Sequence, residues 1–294
     1  MGPDRARTAE YSPGWYRLEL TRLAADAGIF LGSKEPRLIS WLRKTGALDL
    51  GPVRPIKRAA KALLWKITDQ RPGLVLSRVN GHPMWIYRSY TSYYVTDGYE
   101  PGTSAIFEKA IRRGDVILDI GANVGFYTLA AARAAGQGGR VYAFEPSPEN
   151  LEILKRNTAL NRHTNVSCLG DALGDETGER QLIIADSPDC NSFKVNAYHS
   201  AKGTVRVNCT TVDSFLAGGR ADVVKVDVEG AEVSVLRGMQ RTLERNRCIR
   251  LFVELNPASL EAAGVSGTEL FEILKEAGFL VWLIDERDGR SARD

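Results

Sequence analysis

Five acidic residues stand at or just beyond the ends of apolar runs: Asp119 in VILDI, Glu145 in VYAFE, Asp171 after VSCLG, Asp227 in VVKVD and Glu254 in LFVE. In an open parallel sheet, ligands bind outside the carboxyl ends of the strands. Five carboxylates at such ends are difficult to ascribe to surface solvation alone. They could pair an ammonium group, accept hydroxyl hydrogens or take a proton from a reacting group.

The spacing around each acid narrows that chemistry. Asp119 precedes Gly121, Asn123 and Gly125, a GxNxG turn that opens into a helix in VILDIGANVGFYTLAAA. Glycines allow a tight turn and close backbone approach, and a helix N-terminus offers free N–H groups. The pattern differs from the dinucleotide GxGxxG, and an acid two residues before the first glycine suits an ammonium group better than a bare pyrophosphate. Glu145 lies 24 residues beyond Gly121, where an acid can accept both hydroxyl hydrogens of a ribose. The alternative is a surface glutamate capping the helix that Pro146 and Pro148 begin. Asp171, in GDALGD, could receive an adenine amino group, or it is simply a turn aspartate. Lys225 is two residues before Asp227, so both face the same side of their strand.

These residues must be positioned by alternating elements. Strands are predicted at 116–120, 141–145, 166–169, 223–227, 249–254 and 279–284, with helices near 124–135, 147–161, 230–246 and 267–277. Residues 181–185 and 205–212 read as inserted strands. Short apolar strands alternating with amphipathic helices imply βαβ units and a mostly parallel sheet. Upstream, helices are predicted at 14–31, 36–46 and 54–68, a hairpin around Asn80-Gly81, and a helix over 103–112. A domain boundary falls near residue 113, with 1–113 as a helical and hairpin cap or dimerisation region and 114–294 as the α/β domain. Charge divides at the same place: 1–113 carries a net +9 and 114–294 a net −6, within an overall +3.

The strings VILDIGANVGFYTL, VYAFEPSPENLEILKRN, KVDVEGAEVSVLRGM and FVELNP together resemble the FkbM-type family of S-adenosylmethionine-dependent methyltransferases over about residues 90–284. The resemblance implies an α/β, Rossmann-like class I methyltransferase fold, a mostly parallel sheet with flanking helices and an N-terminal helical and hairpin extension. It also implies S-adenosyl-L-methionine as cofactor and O-methylation of a hydroxyl on a sugar or secondary metabolite. Carried onto this sequence, Asp119, Gly121, Asn123 and Gly125 hold the methionine end, Glu145 and Pro146 the ribose side, and Asp171 with Ala172 the adenine. Asp227 faces the methyl-transfer site, and Glu100, in the family-like Tyr99-Glu100-Pro101, and Phe126 join the implied cofactor-binding set. One departure is that the wider fold ends in a seventh antiparallel strand, whereas only DERDGRSARD follows the strand at 279–284. Either the hairpin at 74–88 closes the sheet or the C-terminus is trimmed.

A hydroxyl acceptor needs its proton removed or its oxygen polarised, and Asp227, Glu229 and Glu254 are the candidate catalytic bases. With Asn256 they form an oxygen-only set suited to Mg²⁺. The paired acids expected there are broken by Glu254-Leu255, and Glu229 and Glu232 also read as helix N-terminal acids, so no metal ligand is assigned. Rival readings are an RNA 2′-O-methyltransferase, for which Lys225 and Asp227 fit part of the set without a convincing second lysine, and a non-catalytic nucleotide-binding or membrane-surface recruitment protein. The expected partner is a small-molecule or glycan acceptor, with nucleic acid disfavoured. The N-terminal helices could form a homodimer contact, and the basic segment 54–66 could touch a membrane surface. Trp85, Tyr87, Tyr90, Tyr93, Tyr94 and Tyr99 could wall an acceptor pocket or merely pack within the hairpin. The acceptor itself is expected to meet the N-terminal part and the 186–204 loop. With 294 residues, 44% hydrophobic and 26% charged, no leader-like or membrane-length apolar run, and scattered cysteines and histidines, a cytoplasmic location is expected and zinc or disulfide chemistry is not.

Overall fold

The computed structural model describes residues 73–91, 99–188, 190–194, 200–285 and 290–293, all within one compact unit, Trp65–Asp294. The helices expected at 14–31, 36–46 and 54–68, and with them the basic segment 54–66, lie outside the described residues. Leu74–Val79 (β1) and His82–Tyr87 (β2) form the expected antiparallel hairpin. Asn80 and Gly81 both take positive φ, 43° and 85°, as a two-residue turn matched to strand twist requires.

Pro101–Ala110 (α1) leads into Val116–Ile120 (β3), Phe126–Ala135 (α2), Arg140–Phe144 (β4), Pro148–Leu160 (α3) and Val166–Leu169 (β5). A side sheet follows from Ala172–Leu173 (β6), Gly178–Ala185 (β7) and Ala201–Thr210 (β8), then Val212–Leu216 (α4). Val223–Val226 (β9), Glu232–Arg237 (α5), Gln240–Arg245 (α6) and Arg250–Val253 (β10) return to the central sheet. That sheet has the order β10-β9-β3-β4-β5, and every pairing in it is parallel. Pro257–Ala263 (α7), Gly267–Glu276 (α8), Trp282–Asp285 (β11) and Arg290–Arg293 (β12) complete the described chain.

The central strands are apolar on both faces because both are covered; all four residues of β9 are buried. One face packs Phe107, Leu129, Met84 and Ile86 from α1, α2 and the hairpin. The other packs Leu236, Leu243, Leu260 and Leu270 from α5 to α8. This is the mostly parallel sheet with flanking helices that the alternation implies. Among the described residues, no helix is long and apolar enough to cross a membrane.

Three expectations are corrected. The helix at 230–246 is two short helices, α5 and α6, interrupted at Gly238-Met239. A Cβ on Gly238 would stand 1.9 Å from the carbonyl oxygen of Gly174, so the chain breaks where the side sheet presses on it. The strand at 279–284 begins only at Trp282 and pairs antiparallel with β12, apart from the central sheet. Among the described residues the hairpin at 74–88 does not close the central sheet: β1 and β2 form their own sheet, held against α3 by Asn157 and Asn161.

Gly238→Ala should therefore lower unfolding stability by about 1–3 kcal/mol through forced backbone displacement. Gly138→Ala, with open space around the added methyl, should change it by under about 0.5 kcal/mol. Urea unfolding of both variants checks the contrast, and equal losses would refute the packing account.

Candidate active site

The site forms where β3, β4 and β9 end. Gly121 (φ 83°) begins the turn after β3, and a Cβ there would lie 1.8 Å from the carbonyl oxygen of Asp227. Only a residue without a side chain admits that approach. Asn123 follows with φ 48°, its Oδ1 accepting from the Val124 N–H at 2.7 Å, a local bond that helps an Asn occupy the left-handed region. The turn so shaped donates the Asn123 N–H to Glu145 Oε2 at 2.8 Å. The Ser147 N–H reaches Oε1 at 2.9 Å, so Glu145 joins the glycine turn to the start of α3. Burial pushes the Glu145 carboxyl up to about 7 despite these donors.

Asp119 is 1% exposed. Its Oδ2 accepts from Thr128 Oγ1 at 2.5 Å, while Oδ1 is buried with no hydrogen-bond partner. Burial raises its carboxyl above the ordinary range, opposed by the Lys225 ammonium. An oxygen held this way is costly unless a donor arrives. Lys225 is itself buried. Its Nζ donates to Asp227 Oδ2 at 2.6 Å and lies 4.4 Å from the Tyr127 ring centroid. Burial acts to neutralise it, but Asp227, Asp119 and Glu100 outweigh that and hold its pKa above the ordinary lysine value. Tyr127 in turn donates its hydroxyl to Glu100 Oε2.

Beside this pair, carboxylate oxygens of Asp227, Glu229 and Glu254 lie within 4.8 Å of one another. Glu229 accepts from Ser259 Oγ at 2.9 Å. Burial, then Asp227 and Glu229, hold the Glu254 carboxyl well above the usual carboxylate range. Close like charges cannot all ionise, so this cluster retains a proton at neutral pH. Glu232 is different: its Oε1 accepts from the N–H groups of Val228 and Gly230, the helix-start role that its position suggested.

A cleft of about 230 Å³ joins these groups. Asp119, Gly121, Asn123, Phe126, Glu145, Pro146, Asp171, Ala172, Asp227, Glu229 and Glu254 all contribute to its wall. Gly125 shapes the turn from behind, with φ 100°, and Glu100 stands behind Tyr127. Of the aromatic group, Tyr99 lines the cleft and packs edge-on to Phe126 at 4.8 Å. Tyr87 and Tyr90 are core residues, Trp85 lies under Arg156, and Tyr93 and Tyr94 are outside the described residues. From the 186–204 loop, Pro188, Asn191, Ser192 and Phe193 reach the cleft. Sequence reasoning missed Tyr127 and Asn150, both wall residues. Tyr127 adjoins the glycine turn in a recognisable string, but nothing in the sequence pairs it with Lys225.

A parallel sheet with a buried acid before a glycine turn, a second acid clasping that turn and further acids across the cleft defines a class I S-adenosylmethionine-dependent methyltransferase. Residues 119–281 match the Methyltransferase FkbM domain, and the chain belongs to that family. It is similar to the hexuronic acid methyltransferase AglP of Haloferax volcanii, with 30% identity over 55% of this chain and 62% of that protein. It is also similar to Methyltransferase 1 of Beauveria bassiana, at 31% over 42% of this chain and 57% of the relative. With the 31-O-demethyl-FK506 methyltransferase FkbM of Streptomyces tacrolimicus, identity is 32% over 38% of this chain and 40% of the relative. The chain thus spans less than two thirds of each relative's length. A solved S-adenosylmethionine-dependent methyltransferase from Aquifex aeolicus aligns at 16% identity and a TM-score of 0.36, over 64% of this chain and 85% of that one.

Were Glu145 to receive ribose hydroxyls, as the sequence resemblance implies, their donation would favour its ionised form and protonation would compete with binding. Affinity for S-adenosylhomocysteine should be full above pH 7 and fall as pH drops through about 7. Calorimetric titration from pH 8.5 to 5.5 reads this directly. Glu145→Gln should bind more weakly and lose the pH dependence; a dependence that survives would assign it to another group.

Proposed function

We propose that the chain transfers the methyl group of S-adenosylmethionine to a hydroxyl oxygen of a small polyhydroxylated acceptor, a sugar residue or a secondary metabolite. The observation that carries this reading is the Asp227, Glu229 and Glu254 cluster on the cleft wall that also bears Asp119 and Glu145. The names of relatives that act on a hexuronic acid and on a 31-O-demethyl macrolide agree with it.

Bound S-adenosylmethionine would supply an electrophilic sulfonium methyl to the acceptor oxygen, with S-adenosylhomocysteine as the leaving group. The chain's task is alignment, worth up to about 7–11 kcal/mol in favourable model reactions, and removal of the hydroxyl proton. Asp119 offers its open Oδ1 to the ammonium end, and Glu145 holds the ribose. Asp227, whose Oδ2 accepts from Lys225 Nζ at 2.6 Å, takes the acceptor proton. Glu254, which retains a proton, keeps that corner from accumulating three negative charges.

The same three carboxylates suit a hard divalent cation such as Mg²⁺, which would polarise the hydroxyl. The Lys225 ammonium already offsets charge at Asp227, and on this reading EDTA leaves turnover unchanged. An RNA acceptor finds less support: Lys225, committed to Asp227, is the one lysine among the described residues of the cleft wall.

The test pairs thermal shift with S-adenosylhomocysteine against NAD, then methyl transfer to a panel of glycosides and polyols. Only the homocysteine product should stabilise the fold. Asp227→Asn should reduce turnover by about 10²–10⁴-fold, the typical scale for a lost base. Glu254→Gln, which preserves the shape of a protonated acid, should cost less than about tenfold. Equal losses in the two variants would reject Asp227 as the base, and absent cofactor binding would reject the activity.

A further inference from the structure

Helix α3 presents Asn150, Asn157 and Asn161 toward the same side, at i, i+7 and i+11. Asn157 and Asn161 serve the hairpin: Asn157 bonds both the N–H and the carbonyl of Trp85, and Asn161 bonds the Pro83 carbonyl. Asn150 is placed differently. It lies on the cleft wall and is 2% exposed. Its Oδ1 accepts from the Tyr87 hydroxyl at 2.8 Å, and its Nδ2 donates to the Pro188 carbonyl at 2.9 Å.

Pro188 follows β7, and Asn191, Ser192 and Phe193 beyond it also line the cleft. Ser192 is bonded back to Ile183 in both directions, at 2.9 and 3.2 Å, and Phe193 packs with Ala172 and Leu182. Asn150 also shares the cleft wall with Glu145 and favours its ionised form. One buried amide therefore bonds the hairpin and the Pro188 segment, and acts on the ribose-side carboxylate as well. A residue serving only to hold a helix against the core would need none of the last two.

We infer that Asn150 is a positioning residue for the nucleoside end of the cofactor site, holding the turn of Pro188 and Phe193 against Ala172 while orienting Glu145. The inference rests on the methyltransferase reading above. It gives the inserted β7–β8 hairpin a task, forming the purine wall, and makes the Tyr87 hydroxyl part of the same support.

The experiment titrates the whole chain with S-adenosylhomocysteine and with 5′-methylthioadenosine, which lacks the amino-acid end. Asn150→Ala should weaken both ligands by the same factor, about tenfold, as expected when donor and acceptor bonds at a buried amide are lost. The pH at which homocysteine-product affinity falls should also move upward, with Asp119, the charged group opposing Glu145 ionisation, left in place; reduced fold stability alone would not move it. Tyr87→Phe deletes a single hydroxyl and should weaken both ligands by about threefold, so the test stands even if the alanine variant fails to fold. Unchanged affinity for 5′-methylthioadenosine in either folded variant would overturn the inference. Failure of the unaltered chain to bind either ligand would instead overturn the methyltransferase reading.

Discussion

The contact between Gly121 and the backbone of Asp227 sets the geometry of everything in the cleft. The turn after β3 is bonded on both sides: Asp227 donates its N–H to Ile120 at 3.0 Å, while Gly121 and Ala122 donate to Phe144 at 3.0 and 2.9 Å. Two neighbouring strand ends are thereby drawn onto one turn, and a Cβ on Gly121 would overlap the Asp227 carbonyl. Because β3 and β9 are held in the register Asp119 opposite Lys225, the buried acid and the buried cation meet in the same layer. Glu145 arrives from the other side because β4 ends level with the turn.

Charge is balanced within that frame. A lysine this deeply buried would ordinarily shed its proton, yet three acids within reach keep Lys225 charged. The reverse holds too: Asp119 and Glu100 are desolvated, and Lys225 offsets part of what burial does to each. Removing one member would leave the others uncompensated, which is more damaging than never having built the pair. The described cleft wall is left with acidic groups outnumbering its one lysine, Lys225, a balance that favours a cationic group in the cleft.

Much of this was readable from the residues. The bounds 116–120 and 166–169 coincide with β3 and β5, because short runs bounded by turn residues allow little latitude. The convergence of Asp119, Glu145 and Asp227 followed from one rule about strand ends. What escaped the sequence was set by tertiary contact. The break at Gly238 depends on a carbonyl from Gly174, far away in the chain. The pairing of β11 with β12 depends on residues too polar to read as a strand. The burial of Asn150 and Asn157 on α3 has no signal in EPSPENLEILKRN, since polar residues at such spacings usually meet solvent. Only the hairpin laid across them shows that Asn157 is fully buried.

That last residue carries more than packing. The Asn157 amide has two donor hydrogens, and the structure directs one to Trp85 in the hairpin and the other to Val124 in the glycine turn, each at 2.8 Å. Its oxygen is taken by the Trp85 N–H. No water can replace these partners inside the core, so the hairpin and the turn cannot separate without stranding a buried amide. Their opening equilibria are therefore linked. Amide hydrogen exchange at Trp85 is thereby tied to the order of the turn after β3, which makes β2 a reporter of that turn.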